Sequence, residues 1–493
     1  MGKNNQIGQS SDRMMDAPAL ALPMGDKVLD DIAQYVCSRP SWAPDTLHTA
    51  GLCLADALAC ALASLSDPAC KRLLGPLFSD SNSAMGVPVP GTALRPDPIK
   101  AAFDISTTIR WLDFSDTTFA GGHPSDNIGA ILAAASYASQ QRVKAGHTAL
   151  TLLDVFDAMI KAYELQGLLA AGNCFDHPEI GLDHVIGVKI ASTAVAANLL
   201  GADREVIRRA LSNAWLDGQA LNAYRHTPNA GTRKGWAGAD ASSRGLWLAQ
   251  MAMRGEMGYP TPLSAPTWGF EAVHMNGRPV KLEKHLESFV MDRVIFKLYP
   301  CQRNATTAVE SAIKLRPWLD GRIDSIARIT VHTQDEAMRR IDKTGHLANR
   351  AARDHCLQYV TAVALLNGSL SSEDYSDQHA ADPRIDHLRE RMLVIENPDY
   401  TRAHHNLAIR SCANAIEIEL DNGEKSPLAE THYPIGDPSR RAEGVPLVLD
   451  KFHTSTCLHW PAKRRSLILE TLLDHEKADA ISIDQFMSMV TEK

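Results

Sequence analysis

Apolar residues recur three and four positions apart along most of residues 26–275, which is the spacing of one face of an α-helix. One such stretch follows Asp203, a favourable helix-capping residue, and has its apolar positions at Val206, Ile207, Ala210, Leu211, Ala214 and Trp215. Other stretches, such as AILAAASYAS and KIASTAVAANLLG, are rich in small residues, which lets helix axes pack closely. The pattern predicts a compact helical domain over residues 26–275.

After residue 275 the period changes to two, as in half-buried strands. Ile329 and Val331 alternate with polar residues, and the later alternating run IEIEL is followed by DNG, which suits a hairpin turn. Helical stretches lie between these runs. We therefore expect a smaller α+β domain over residues 276–430 and a helical segment, residues 431–493, that packs back on the first domain. The predicted fold class is mainly α with an α+β part.

Composition excludes several classes of protein. The 493 residues are 45% hydrophobic and carry a formal net charge of −8, as in an ordinary globular protein. The basic residues are scattered, so we expect no nucleic-acid partner. No stretch reaches the roughly 18 apolar residues of a membrane span, and residues 1–25 lack a secretion signal, so we expect no membrane association and a flexible N-terminal extension.

The nine cysteines indicate the compartment and bear on cofactors. They form no CxxC pair and lie mostly in apolar helical stretches, as expected of reduced, buried thiols. An iron–sulfur cluster would need three or four converging thiolates, which this spacing does not suggest. The predicted location is the cytoplasm, with the mitochondrion as the alternative.

The segment WLDFSDTTFAGGHPSDN, residues 111–127, has the highest density of chemically useful side chains. Asp113, Asp116, Thr117 and His123 fall within eleven positions, and the two glycines before the histidine allow close approach of a ligand to the backbone. An acid/base site is one interpretation of this segment. The other is a cluster of Asp, Thr and Ser side chains that cap helix ends.

A second polar segment, NAYRHTPNAGTRKGWAGADASSRG at residues 222–245, carries four basic residues on a glycine-rich loop: Arg225, His226, Arg233 and Lys234. Cations beside free backbone amides form receptors for carboxylate or phosphate groups. Because no GxxxxGK[ST] motif occurs, a nucleotide P-loop is not predicted. The alternative is that Arg233 and Lys234 are simply solvated.

Three single residues in apolar surroundings complete the candidates. Lys297 lies in VIFKLYP, and His184 and Tyr359 lie in GLDHVIGVKIAS and RDHCLQYVTA. Each has an ordinary structural explanation: a lysine whose ammonium reaches the surface, a hydrogen-bonded core histidine, and a core tyrosine with a solvated hydroxyl.

Taken together and in order, these segments, with GEMGYPTPLSAPTWGF and YPIGDPSRR, resemble the MmgE/PrpD family, whose members include 2-methylcitrate dehydratases and cis-aconitate decarboxylases. The resemblance runs from about residue 28 to about residue 490. It implies a helical domain with a smaller α+β lid domain, a homodimer, and chemistry on a tricarboxylate without metal or organic cofactor.

The resemblance also implies the site residues. Of the residues it carries over, the catalytic candidates are His123, Asp113, His184, Lys234 and Lys297, and the substrate-binding candidates are Thr117 and Tyr359. Arg233 of the basic loop, and Arg303 and Asn304, where the sequence departs from the family pattern, complete the substrate-binding candidates. Elimination of water needs a base, an acid for the departing hydroxyl, and cations that hold the carboxylates. We expect Lys234 and Lys297 to hold carboxylates, His123 to act as base or acid, and Asp113 to orient it or be its counterpart; either His123 or His184 takes the proton.

Two departures from the family pattern bear on the substrate. The link Thr118–Gly122 is shorter and less bulky than in the 2-methylcitrate dehydratases, and LYPCQRNATT places Arg303 and Asn304 where those enzymes have a histidine. The lost volume favours a citrate with a longer alkyl group than methyl, with 2-methylcitrate itself as the second choice. A cis-aconitate-type decarboxylase and a non-catalytic binding paralogue are the remaining alternatives.

Overall fold

The computed structural model of the protein describes residues 25–78, 86–226 and 228–492. The flexible extension predicted for residues 1–25 lies, apart from Gly25, outside these ranges. Over the described residues most of the chain is helical, and the helices in chain order are α1 (Lys27–Cys37), α2 (Pro44–Ser64), α3 (Pro68–Lys71), α4 (Pro98–Arg110), α5 (Ile128–Lys144), α6 (Leu152–Asn173), α7 (Val185–Leu199), α8 (Arg204–Leu216), α9 (Ala237–Met253), α10 (Phe270–His274), α11 (Phe289–Asp292), α12 (Thr306–Leu319), α13 (Asp335–Ile341), α14 (Arg350–Arg353), α15 (Leu357–Asn367), α16 (Asp377–Ala380), α17 (Pro383–Glu390), α18 (Pro398–His405), α19 (Arg441–Thr456), α20 (Ala462–Leu473), α21 (His475–Ala480) and α22 (Ile483–Val490).

The strands form one mixed four-stranded sheet with the order β2-β1-β3-β4. Their bounds are β1 (Ile326–Thr333), β2 (Met392–Glu396), β3 (Asn414–Leu420) and β4 (Ala429–Thr431). β1 runs parallel to β2 and antiparallel to β3, with Val331 opposite Ile416. The DNG turn follows β3, and Gly423 adopts a φ of 81° there. Both predicted strands and the turn after the second are therefore confirmed.

Helix α8 shows how the sequence pattern becomes structure. The Asp203 side chain accepts a hydrogen bond from the Val206 amide and caps the helix, as predicted. Ile207, Leu211 and Trp215 are buried on one face of the helix, against the first hydrophobic core. The cap and the apolar stripe together fix where the helix begins and which face it buries.

Helix α2 crosses the centre of that core. By length and composition it could span a membrane, but 83% of its most apolar window is buried inside the protein. It packs against helices of both terminal parts of the chain, including α4 and α19. Gly51 contacts the carbonyl group of Leu472 in α20, an approach that a side chain would prevent. Small residues thus let the C-terminal helices close on the first ones.

Two separate hydrophobic cores divide the molecule. The first, the helical body, includes residues from Leu29 to Phe296 and again from Val448 to Val490. The second, the sheet body, includes residues from Cys301 to Leu420. The overall fold class, mainly α with an α+β part, is the one predicted. The chain passes from one core to the other just after Phe296, so Lys297 lies at the boundary between the two bodies.

Candidate active site

A cavity of about 410 Å³ lies between the helical body and the sheet body. The helical body contributes the 111–123 loop, His184 and Arg225, and the sheet body contributes residues such as Arg303 and His355. Several of its charged or titratable side chains are buried, namely Arg110, Asp113, His123, Lys297, Arg303 and His355. The sequence-predicted residues that line the cavity are Asp113, Thr117, His123, His184, Lys297, Arg303 and Asn304.

The 111–123 loop begins where α4 ends at Arg110. Asp113 follows with a φ of 53°, an uncommon conformation for a residue with a side chain, and this turn points its carboxylate back toward Arg110. Further along, the Thr117 amide donates to the Ile295 carbonyl and the Ile295 amide donates to the Thr117 carbonyl, at 2.9 and 2.8 Å. This antiparallel bridge brings Lys297, two residues beyond Ile295, to the same loop.

Asp113 is the centre of an ion cluster. Its carboxylate lies 2.6 Å from Lys297 Nζ, 2.9 Å from an Arg110 guanidinium nitrogen and 3.4 Å from Lys234 Nζ. Burial raises the pKa of the Asp113 carboxyl, but these three cations outweigh burial and hold that pKa well below its usual range. Asp113 is therefore a permanent anion and a counterion, not a proton donor.

His123 presents a free ring nitrogen to the cavity. Its Nδ1 lies 2.7 Å from the Asp116 carbonyl oxygen, which can only accept, so Nδ1 carries the proton and the neutral ring has a lone pair on Nε2. Nε2 lies 3.6 Å from the Asp113 carboxylate. Burial lowers the pKa of His123 well below its ordinary value, and Arg110 and Lys297 lower it further. The geometry suits a neutral general base whose charge Asp113 would stabilise after proton uptake.

His184 has the opposite arrangement. An Arg225 guanidinium nitrogen donates to its Nε2 at 3.1 Å, so the proton of the neutral ring is on Nδ1, which is buried without a hydrogen-bond partner in the described part of the chain. Arg225 is itself held by Asp183, at 2.5 Å. Burial lowers the pKa of His184. The ring centroids of His123 and His184 are 5.9 Å apart, so two imidazoles with their protons on differently placed Nδ1 atoms lie side by side, and only His123 has a free Nε2.

Lys234 does not line the cavity but lies behind Asp113, and its ammonium contacts residues of both bodies. Its ammonium is bonded to Asp354 of the sheet body and lies 3.1 Å from His355 Nδ1. Asp113, Asp354 and His355 bring potential metal ligands within 4.8 Å of one another. The Lys234 ammonium already supplies the positive charge at this point, so we interpret the group as an ion cluster.

Arg303 and Arg410 line the cavity on the side of the sheet body, which we call the far wall. Both donate to the Phe119 carbonyl oxygen, Arg303 at 3.4 Å and Arg410 at 2.8 Å. Asn304 lies beside them, and its backbone carbonyl accepts from the Asn414 side chain. Thr117 lines the cavity as well, but its hydroxyl donates to the Gly122 carbonyl at 2.7 Å, which holds the loop before His123.

Two predicted residues lie away from the cavity. Arg233 pairs with Asp240 on the surface, as expected for a solvated residue. Tyr359 lies in the core of the sheet body, as its structural explanation expects, but its hydroxyl is not solvated: it donates to the Asp374 carbonyl inside that core. His355, four residues earlier in the same segment, lines the cavity in its place. Arg110, Arg225 and Arg410 are three further basic residues of the cavity that are missing from the predicted set.

Only some of these four residues left a signal in the sequence. Arg225 and His355 lie inside the recognised segments. Arg110 precedes the 111–127 segment by one residue, and Arg410 lies in a stretch without a motif. Their contributions depend on loops that meet only in the folded chain.

The fold and the cavity together define a two-body helical protein whose cavity is lined by buried cations and by a histidine placed for proton transfer. Residues 30–283 match the model of the MmgE/PrpD N-terminal domain, and residues 299–475 match that of the MmgE/PrpD C-terminal domain. The chain belongs to the MmgE/PrpD family, and the resemblance found in the sequence is thereby confirmed.

Similar proteins cover almost the whole chain. A protein of Cupriavidus necator named 2-methylcitrate dehydratase is 46% identical over 96% of this chain and 99% of its own length. One of the same name from Escherichia coli K12 is 43% identical, over 95% of this chain and 98% of its own length. A protein of Yarrowia lipolytica named 2-methylcitrate dehydratase, mitochondrial, is 42% identical over 96% of this chain and 92% of its own length.

Proposed function

We propose that the protein is a hydro-lyase that eliminates water from a 2-alkylcitrate and yields the corresponding cis-aconitate-type alkene. The observation that carries this proposal is the neutral His123, whose bare Nε2 faces a cavity rich in buried cations. The names of the relatives, which match at 41–46% identity over nearly the full chain, support a dehydratase of the 2-methylcitrate type.

The first step is removal of a proton from the carbon next to a carboxylate. His123 Nε2 takes that proton, and the C–H electron pair moves toward the carboxylate, which becomes an aci-carboxylate with a second negative charge. The Lys297 ammonium stabilises this charge strongly because it is buried, and a buried charge acts with less solvent screening. The Asp113 carboxylate, 3.6 Å from Nε2, stabilises the imidazolium that forms.

The second step is loss of the hydroxyl. The electron pair returns to form the carbon–carbon double bond, the C–O bond breaks, and the hydroxyl takes a proton and leaves as water. Lys297 is the candidate proton donor: burial lowers the pKa of its ammonium, which makes it a stronger acid than a solvated lysine.

The alkyl group is the finer part of the proposal. The cavity wall beside His123 consists of small residues, Ala120, Gly121 and Gly122, and continues to Ala170 and Ala171 on α6. An alkyl chain buried there would gain about 0.8 kcal/mol per methylene. We therefore propose a citrate with a chain longer than methyl as the preferred substrate, and 2-methylcitrate as the next.

The proposal is tested by incubating purified protein, in separate reactions, with racemic 2-methylcitrate, with a 2-hexylcitrate-like homologue and with cis-aconitate. Alkene formation is followed by ultraviolet absorbance and carbon dioxide by trapping. We expect alkene from the citrates, fastest from the longer one, and no carbon dioxide. Faster dehydration of 2-methylcitrate would contradict the chain-length proposal, carbon dioxide from cis-aconitate would favour the decarboxylase, and stabilisation by these ligands without turnover would favour a binding paralogue.

We also propose that the protein works as a homodimer in the cytoplasm, with the mitochondrion as the alternative location. Light scattering from purified protein should give twice the chain mass of 53.7 kDa. A mass equal to one chain at micromolar concentration would contradict the dimer.

A further inference from the structure

The cations of the cavity differ in whether the protein neutralises them. Arg110 and Lys297 share Asp113, and Arg225 is paired with Asp183. In contrast, Arg303 and Arg410 form no ion pair with any carboxylate of the described residues; their hydrogen bonds go to backbone carbonyl oxygens. The far wall therefore carries two uncompensated positive charges.

The acids near this wall are already engaged. Glu336 pairs with Arg339 and with Arg340, and Asp176 pairs with Arg340 at 2.7 Å. Asp335 contacts His405 at 2.9 Å. None of these acids forms an ion pair with either far-wall arginine, although all of them line the same cavity.

The protein holds the two arginines close together against their mutual repulsion. Both donate to the single Phe119 carbonyl oxygen, and Arg303 is only 8% exposed. Burial lowers the pKa of Arg410, and the neighbouring Arg303 lowers it further. Arg410 also has a φ of 48°, a conformation that costs energy for a residue with a side chain and that persists where the surrounding fold requires it. An anion between the two guanidinium groups would relieve the repulsion.

We propose that Arg303 and Arg410 form a receptor for the carboxylate on the non-reacting arm of the substrate, and that this receptor selects tricarboxylates over hydroxydicarboxylates. The inference rests on the proposed dehydration, and it assigns the third carboxylate to the sheet body while the helical body holds the reacting carbons. Arg303 and Arg410 belong to the sheet body and His123 belongs to the helical body. The bound substrate therefore contacts both bodies.

The test compares two substrates that undergo the same reaction. 2-Methylcitrate has the extra carboxymethyl arm, and 2,3-dimethylmalate keeps the reacting hydrogen and hydroxyl but has a methyl group in place of that arm. A charge-assisted hydrogen bond contributes about 1.5–3 kcal/mol, so Arg410→Gln and Arg303→Gln should each lower kcat/KM for 2-methylcitrate about 10- to 100-fold, mainly through KM. For 2,3-dimethylmalate the change should stay within about twofold.

The alternative role is structural, since the pair also pins the loop that leads to His123. If the role is only structural, the variants will lose activity toward both substrates equally, and that result would overturn the proposed carboxylate receptor. Arg410→Lys keeps the charge and should recover part of the lost affinity. Arg402→Gln is the matched control. It removes an exposed arginine of α18 whose ion pair, among the described residues, is with Asp399 alone, and it should change kcat/KM for neither substrate.

Calorimetry separates this inference from the proposed reaction. Tricarballylate and methylsuccinate have no hydroxyl to lose, so their binding does not depend on turnover. If the protein dehydrates no citrate at all, the proposed function fails. If the unmodified protein binds tricarballylate more tightly than methylsuccinate, and this difference disappears in Arg410→Gln, the receptor is still supported. Equal binding of the two acids by the unmodified protein would overturn it.

Discussion

Asp113 is the residue whose removal should affect the site most. Asp113→Asn would leave the buried cations Arg110, Lys297 and Lys234 without their shared anion, and breaking a buried pair costs about 3–5 kcal/mol. We expect a loss of that order in the free energy of unfolding, measured by denaturant titration, together with loss of turnover. Asp399→Asn, in an exposed pair with Arg402, should cost only about 0–1 kcal/mol. Equal effects of the two substitutions would contradict the ion cluster.

The pH dependence of kcat/KM follows from His123. Burial lowers the pKa of this histidine below its ordinary value of about 6.5. At pH 6.5 the ring is therefore still neutral and able to accept a proton, and it becomes protonated only at lower pH. Activity should therefore be retained as the pH falls through 6.5 and be lost only below it. An acid limb with its midpoint at or above pH 6.5 would contradict His123 as the base in this environment.

The sequence located the segments of the site better than the individual side chains. RDHCLQYV was recognised, yet the cavity residue is His355, just before α15, whereas Tyr359 lies one turn inside the helix and faces the core. In the same way, the turn Thr232–Gly235 buries Lys234 and exposes Arg233. Sequence fixes neighbours along the chain, but the direction of a side chain in a short turn depends on the packing around it.

At the scale of elements, the close contact between α4 and α5 places the 111–123 loop. Gly129 of α5 packs directly on the Ala102 carbonyl and the Ser106 side chain of α4, with no room for a Cβ. Gly129→Ala should therefore destabilise the protein by about 1–3 kcal/mol, as overpacking does, in a denaturant titration. Gly218→Ala, where a Cβ meets open space, is the control and should stay within about 0.5 kcal/mol. A Gly129→Ala protein with an unchanged free energy of unfolding would show that the two helices separate easily.

The strands show which elements a pattern can reveal. β1 and β3 lie in the middle of the sheet and alternate clearly, so their sequences predicted them. β2 is an edge strand whose Leu393 and Ile395 are exposed, and β4 has only three residues. Neither alternates between buried apolar and exposed polar positions over a useful length, so periodicity alone does not identify them.

At the scale of the whole molecule, the active site exists because two bodies with separate cores meet. Composition and periodicity predicted the fold class, and the family resemblance predicted five residues of the cavity, namely Asp113, Thr117, His123, His184 and Lys297. The pairing of Lys234 with Asp354 and of Arg410 with the Phe119 carbonyl joins residues more than a hundred positions apart. Such contacts follow from the way the sheet body closes on the helical body, which no local pattern contains.

The most direct test of the account is the proton magnetic resonance spectrum of 2-methylcitrate incubated with the protein and, in parallel, with His123→Ala. We expect the unmodified protein to convert the substrate to the cis-aconitate-type alkene, and His123→Ala to be slower by about 10²- to 10⁴-fold, the usual contribution of a general base. His346→Ala, at an exposed position, should be unaffected. Near-normal turnover by His123→Ala would contradict the central claim.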